Sequence, residues 1–292
     1  MDITPDMVKE LRERTGAGMM DCKRALVETK GDPDLAAELL RKQGAAKADK
    51  KASRVAAEGQ IAIKSDPANG RHAIVEVNSE TDFVAKDDNF RRFVDVVASA
   101  ALSLKAANVA ELMQAKVAGH TLEEERQALV TKVGENIAVR RFQTLETQGA
   151  VGPYVHMGRI GVLLELEGGN AELARDLAMQ VAATSPRYVG PEHVPQDVLA
   201  KEREILSAQA AQEGKPPEIV AKMVGGRLKK HLEEITLTGQ PFVKDPDKRV
   251  RDLLASSKAK VKAFLRYEVG EGIEKKASDF VQEVMAQASQ SR

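Results

Sequence analysis

Nine residues, Asn78-Ser79-Glu80-Thr81-Asp82-Phe83-Val84-Ala85-Lys86, set two carboxylates, an aromatic ring and a cation in one short stretch. Asp87 and Asp88 follow, so Glu80, Asp82, Asp87 and Asp88 form an acidic cluster that invites a metal reading and a metal-dependent hydrolase. A calcium loop alternates its acidic ligands and places a glycine among them, and Phe83-Val84-Ala85 interrupts that spacing. Asp87 and Asp88 read more simply as helix-starting residues. Other chemistry is equally thin. His72, His120, His156, His193 and His231 are scattered without paired-ligand spacing, and Cys22 has no C-x-x-C partner. Gly16-Ala17-Gly18 lacks a preceding strand, a third glycine and a following Gly-Lys-Ser/Thr, so it is not a phosphate loop. No G-x-S-x-G occurs. The residues do not describe an enzyme, and no cofactor or bound metal is expected.

The elements around the nonapeptide suggest what it does instead. His72-Ala73-Ile74-Val75-Glu76-Val77 is a β-branched run that predicts a strand. Phe90, Phe93, Val94, Val97 and Ala98 recur at helical spacing after Asp87-Asp88-Asn89. The nonapeptide therefore connects a strand to a helix, and connections lie at the surface and carry function when a scaffold presents them. Phe83 is costly material in a chain with 3% aromatics and no tryptophan. Two readings stand open: Phe83 folds back to staple the next helix, or it projects to meet a partner.

The chain has 292 residues, enough for two or three domains with real cores. Lys+Arg and Asp+Glu both number 44, and this zero balance argues against nucleic acid as the main partner. A single cysteine, the lack of a long apolar run and an N-terminus without a secretory pattern predict a cytoplasmic protein with no membrane partner. Thr4-Pro5, the break at Thr15-Gly16-Ala17-Gly18 and Asp32-Pro33 predict three short helices ending at Gly44. Met19 and Met20 stand at the tight turn, suited either to core packing or to an adaptable contact. Ala45 to Glu58 then reads as a helical linker whose Lys47, Lys50, Lys51 and Arg54 lie on a solvated face. The alternative is an RNA- or ribosome-binding translation protein using those four cations, although no aromatics are interleaved for stacking.

A β-hairpin is predicted around Asp66-Pro67-Ala68-Asn69-Gly70, and helices over 87–105, 109–117 and 122–133. Strands follow at 136–142, 154–157 and 160–166. Gly70-Arg71, a strand and a helix are echoed by Gly158-Arg159, a strand and a helix over 171–183. Only Glu167-Gly168-Gly169-Asn170 joins strand to helix in the second copy, so the Thr81-Asp82-Phe83 segment is surplus to a shared β-β-α plan. Two amphipathic helices over 196–235, joined by Gly214-Lys215-Pro216-Pro217, predict a projecting antiparallel hairpin. A strand at 261–267 and a helix at 278–288 end the chain.

Thr81-Asp82-Phe83-Val84-Ala85-Lys86 with Asn78, and the run from Leu11 to Lys23 through Arg12, Thr15, Gly16, Met19 and Met20, resemble signatures of the elongation factor Ts family. Leu237-Thr238-Gly239-Gln240-Pro241-Phe242 and the stretch from Glu268 to Lys275 resemble its C-terminal motifs. The resemblance implies an α+β fold: a UBA-like three-helix bundle (1–45), a linker (46–58), two related antiparallel sheet/helix subdomains (59–140; 141–194 with 236–270), a dimerisation-type hairpin (195–235) and a C-terminal helical module (271–292). It implies exchange of GDP for GTP on elongation factor Tu. Thr81, Asp82, Phe83 and Val84 would disturb that partner's Mg²⁺ site, and Arg12, Thr15, Gly16, Met19 and Met20 would grip its GTPase domain. A homodimer through the hairpin is implied as well.

Overall fold

The first and third helices of the N-terminal segment start where a side chain of the chain itself caps them, and the second starts after Gly18 without one. The computed structural model describes residues 3–274. Helix α1 (Pro5–Thr15) is capped by the Thr4 hydroxyl, which accepts from the Met7 N–H, and it ends at the left-handed Gly16. Helix α2 (Met19–Glu28) follows, and α3 (Pro33–Lys51) begins at Asp32, whose carboxylate accepts from the Asp34 and Leu35 N–H groups at 2.9 Å. Leu11, Cys22, Leu26 and Leu40 form the core between the three.

The rest is built on two three-stranded antiparallel sheets. In chain order come β1 (Glu58–Asp66), β2 (Arg71–Ser79), α4 (Asp82–Ala85), α5 (Asp88–Ser103), α6 (Val109–Met113), β3 (Lys116–Val117), β4 (His120–Thr121), α7 (Leu122–Val133) and β5 (Ile137–Glu146). The second half adds β6 (Ala150–His156), β7 (Ile160–Glu167), α8 (Ala171–Thr184), α9 (Gln196–Ala211), α10 (Pro217–Ile235), β8 (Pro241–Phe242), β9 (Asp245–Arg249), α11 (Val250–Ser256) and β10 (Lys260–Glu268). One sheet runs β1-β2-β5 and the other β6-β7-β10. Mixed helix and several small antiparallel sheets make this an α+β fold.

The middle strands β2 and β7 are buried along nearly their whole length. Alternate strand residues face opposite sides, and here both sides are covered. Val75 and Val77 meet Phe90, Phe93 and Val97 of α5. Val162, Leu164 and Leu166 meet Leu177 and Val181 of α8. Ile61, Ile74, Leu163 and Tyr267 pack between the sheets. The sheets approach closely at Gly161, where a Cβ would lie 2.4 Å from the Ile61 Cγ2.

Glu76 shares the inter-sheet face with Ile74 and is wholly buried. Its carboxylate accepts from Arg141 Nε at 2.6 Å, Arg140 Nη1 at 3.1 Å, Asn78 Nδ2 at 3.2 Å and the Gly270 N–H at 2.8 Å. Arg141 also lies 4.0 Å over the Tyr267 ring. Burial alone would raise the Glu76 pKa, but the Gly270 N–H and the guanidiniums outweigh it and hold the group below the usual carboxylate range.

Several elements differ from the sequence expectation. Helix α3 does not end at Gly44 but continues to Lys51, taking in much of the expected linker at 46–58. Gly44 is a contact point: a Cβ there would stand 2.9 Å from the Thr131 hydroxyl of α7. The helix expected over 109–117 stops at Met113, and Lys116–Val117 instead pairs with His120–Thr121 through a turn in which Ala118 and Gly119 adopt positive φ. Strand β5 continues past a register shift at Arg140 to Glu146, so a boundary at 140/141 falls within it. Strand β6, expected over 154–157, begins at Ala150 and includes Pro153; β6 is an edge strand, where proline is tolerated. The helix expected over 278–288 lies outside the described residues.

Breaking a buried ion pair leaves its partners uncompensated, so Glu76→Ala is expected to cost about 3–5 kcal/mol of unfolding free energy in chemical denaturation. The folded pKa lies below the unfolded value of 4.5. This stabilisation is therefore complete above that value and lost as pH falls through the depressed one. Glu76→Gln should remove that component from the acid side of the stability profile.

Candidate functional site

Between β2 and α5 the chain makes a single extra turn of helix, α4, and the surroundings hold it at both ends. The Thr81 hydroxyl caps it by accepting from the Val84 N–H at 3.3 Å. Thr81 in turn donates twice to Glu135, from its N–H at 3.0 Å and its hydroxyl at 2.7 Å. At the far end the Ala85 carbonyl accepts from Gln60 Nε2 at 2.7 Å. Ala85 is buried, and Val84 packs against the core under β2.

Phe83 is 81% exposed on this turn. It does not staple α5, because α4 directs the neighbouring Val84 and Ala85 inward instead. Asp82 is half-exposed and pairs with Lys86 Nζ at 2.6 Å. That hydrogen bond outweighs desolvation and holds the Asp82 carboxyl below its ordinary value, with the charges of Lys86 and then Arg159 acting in the same direction. What projects is thus a bare ring beside a charged carboxylate, on a turn whose backbone is tied down.

The acidic cluster is divided among separate tasks. Glu80 accepts from the Asn136 N–H at 2.5 Å and lies 3.6 Å from Arg54 Nη1. Asp87 caps α5 by accepting from the Asn89 and Phe90 N–H groups at 2.8 and 3.2 Å. Among the described residues no three His, Cys, Asp or Glu side chains converge as a metal-ligand set.

The N-terminal candidates stand on a different element. Thr15 and Gly16 build the turn itself: Thr15 Oγ1 donates to the Leu11 carbonyl at 2.7 Å, and Gly16 N–H to that of Arg12 at 2.8 Å. Met19 and Met20 are 55% and 67% exposed, which removes the core-packing reading for both; Cys22 fills the core instead. Arg12 is exposed. Of the basic cluster, Lys47 pairs with Asp21 at 2.8 Å, Lys51 donates to the Gly134 carbonyl at 2.6 Å and Arg54 faces Glu80. Three of the four cations therefore serve internal contacts.

Sequence reasoning missed Glu135, Gln60 and Asn136. Glu135 sits 54 residues from Thr81, and no periodicity reports a contact over that distance. A glycine followed by two polar residues before an apolar run marks a connection there, but nothing in it names Thr81 as a partner.

A short, rigidly held apolar and acidic projection is the kind of surface that docks on another macromolecule, which makes this turn a candidate docking site on an α+β scaffold. The chain is similar over residues 80–271 to the family described as Elongation factor TS. It is 60% identical over 290 residues to elongation factor Ts of Thioalkalivibrio sulfidiphilus, with 99% of each chain covered. It is 55% identical over 291 residues to that of Halorhodospira halophila, with 100% of each covered. Against that of Legionella pneumophila it is 51% identical over 286 residues, with 98% of each covered. The chain belongs to the elongation factor Ts family, which places it among the translation elongation factors. Among the described residues no helix is long and apolar enough to cross a membrane.

Because its ring is bare, Phe83→Ala should change unfolding free energy by less than about 0.5 kcal/mol in a urea titration. A loss several times larger would show that the ring packs on its own protein.

Proposed function

We propose that this chain binds elongation factor Tu carrying GDP and speeds release of the nucleotide so that GTP can replace it. Asp82 and Phe83 are the residues that enter near the partner's Mg²⁺ and nucleotide site, with Thr81 and Val84 shaping the turn. The observation that carries this is the 81% exposure of Phe83 on a turn fixed at both ends. An aromatic ring facing water on a rigid base is pre-organised for a pocket, and little entropy remains to be lost on docking. The chain acts here as a binding factor in the cytoplasm, without reaction chemistry of its own.

Exchange requires that factor and nucleotide weaken each other's binding, and linkage makes that effect reciprocal. Burying one Phe contributes roughly 1.5–3 kcal/mol, on the order of 10- to 150-fold in an equilibrium. That is too little to dislodge a tightly held nucleotide alone. A wider interface must supply the rest, and exposed Met19 and Met20 with Arg12 on the N-terminal helices (1–45) suit that task. In this reading the helical bundle is UBA-like, and the β1-β2-α5-β5 and β6-β7-α8-β10 units are related subdomains. The hairpin α9–α10, closed by Leu206, Ala210, Val224 and Leu228, projects from the body and joins two copies.

Release of a fluorescent GDP from elongation factor Tu, with excess unlabelled GDP and fixed Mg²⁺, tests the reading. Acceleration at substoichiometric amounts of this chain is expected, and no acceleration by folded protein would overturn it. Phe83→Ala should lower the acceleration far more than the affinity for the GTPase; an equal loss of both would make Phe83 a mere anchor. Deleting residues 196–235 should leave a folded body that is monomeric by light scattering. An unchanged number of chains per particle would exclude the hairpin as the dimer contact.

A further inference from the structure

Four residues of helix form too few bonds to hold themselves, since the first turn is the unfavourable step of helix formation. What aims Phe83 must therefore lie outside α4. We propose that Glu135 is the residue that aims it: a positioning residue for Asp82 and Phe83, acting through Thr81 without touching the partner. The proposal rests on the exchange reading above.

Glu135 stands on the connection from α7 to β5, just after Gly134, whose φ of 82° turns the chain. Its half-buried carboxylate receives both donors of Thr81, the N–H at 3.0 Å and the hydroxyl at 2.7 Å. Charge-assisted bonds of this kind are the strong ones. The same hydroxyl oxygen is then oriented to accept from the Val84 N–H at 3.3 Å, so the carboxylate fixes the cap and the cap fixes α4. The neighbouring residues repeat the bond in the opposite direction, as Glu80 Oε1 accepts from the Asn136 N–H at 2.5 Å. Asn136 Nδ2 also donates to the Arg54 carbonyl at 2.8 Å and lies 3.4 Å from that of Ala52. One clasp thus ties together the chain leaving α3, the start of the Phe83 turn and the entry to β5. The clasp is separate from the hydrophobic packing of α4, which Val84 and Ala85 provide.

Glu135→Ala removes the acceptor for both Thr81 donors. Glu135→Gln keeps the clasp, because its carbonyl can accept from the Thr81 N–H while its amide donates to the hydroxyl. Glu135→Asp keeps the charge but draws it back by about one C–C bond, ~1.5 Å. Each is measured alone and combined with Phe83→Ala, by GDP release at saturating factor and by affinity for the nucleotide-free GTPase. Glu135→Ala is expected to slow release on the order of tenfold or more, as misplacement of a positioned group does. Affinity should fall only a few-fold, and Glu135→Gln should restore most of the rate. In the Phe83→Ala background Glu135→Ala should have a much smaller effect, since only Asp82 is left for it to aim. Equal losses in both backgrounds, or a matched loss of rate and affinity, would overturn the proposal and leave Glu135 a stability residue. Should Glu135→Ala not fold, Glu135→Asp is read by the same two criteria. If the unaltered chain itself fails to accelerate release, the exchange reading falls. If it accelerates and only the Glu135 coupling is missing, this proposal alone falls.

Discussion

A carboxylate with no access to water stands at the centre of this molecule. Glu76 lies on the inner face of β2, where the two sheets meet, and nothing about a hydrophobic layer favours a charge there. Its compensation comes from far apart in the chain: two arginines on β5 and a backbone N–H beyond β10. The charge can be buried only if β5 is in register beside β2 and the segment after β10 has come back across the sheets. Glu76 therefore makes the assembled arrangement of the two sheets a condition for its own stability. Arg141 extends the same constraint by lying over Tyr267 of the second sheet and pairing with Glu271 at 3.2 Å.

With the sheets locked face to face, their outer faces can carry different attachments. Both sheets have the same strand order and a helix packed on the outer face, and they differ in how the middle strand reaches that helix. After β7 the chain crosses through Gly168 and Gly169, both at positive φ, directly into α8. After β2 it makes the additional turn α4 and exposes a phenylalanine. That turn contributes little apolar burial of its own beyond Val84 and Ala85. It is held mainly by polar bonds from β1 and from the loop before β5, which fix direction more than they add stability.

The N-terminal helices are joined to this body by close approach rather than by a flexible tether. Helix α3 passes α7 at Gly44, its last turn reaches the Gly134 carbonyl through Lys51, and the residues after it bind Asn136. Gly134, Glu135 and Asn136 thus face both the helical module and the Phe83 turn. The apolar residues this module leaves bare, Met19, Met20, Val27 and Leu35, stand on a support continuous with the body.

Much of the local structure is determined by the sequence itself. Thr4-Pro5, Asp32-Pro33 and Asp87 specify helix starts because a side-chain oxygen can reach N–H groups only two or three residues away. The turn at 66–70 and the flanking β-branched runs specify the β1–β2 hairpin, and the 81–86 motif singles out the candidate site. Only tertiary structure decided which surfaces stay bare. The pattern alone favoured Phe83 stapling α5 over facing water and left Met19 and Met20 open between core and surface, because periodicity says which residues share a face but not whether anything covers it. Gly44 carried the signature of a helix end until a neighbouring helix needed the room of its missing side chain. Glu135 had no local signature as the partner of Thr81, because a hydrogen bond across 54 residues exists only once the sheet has brought the two loops together.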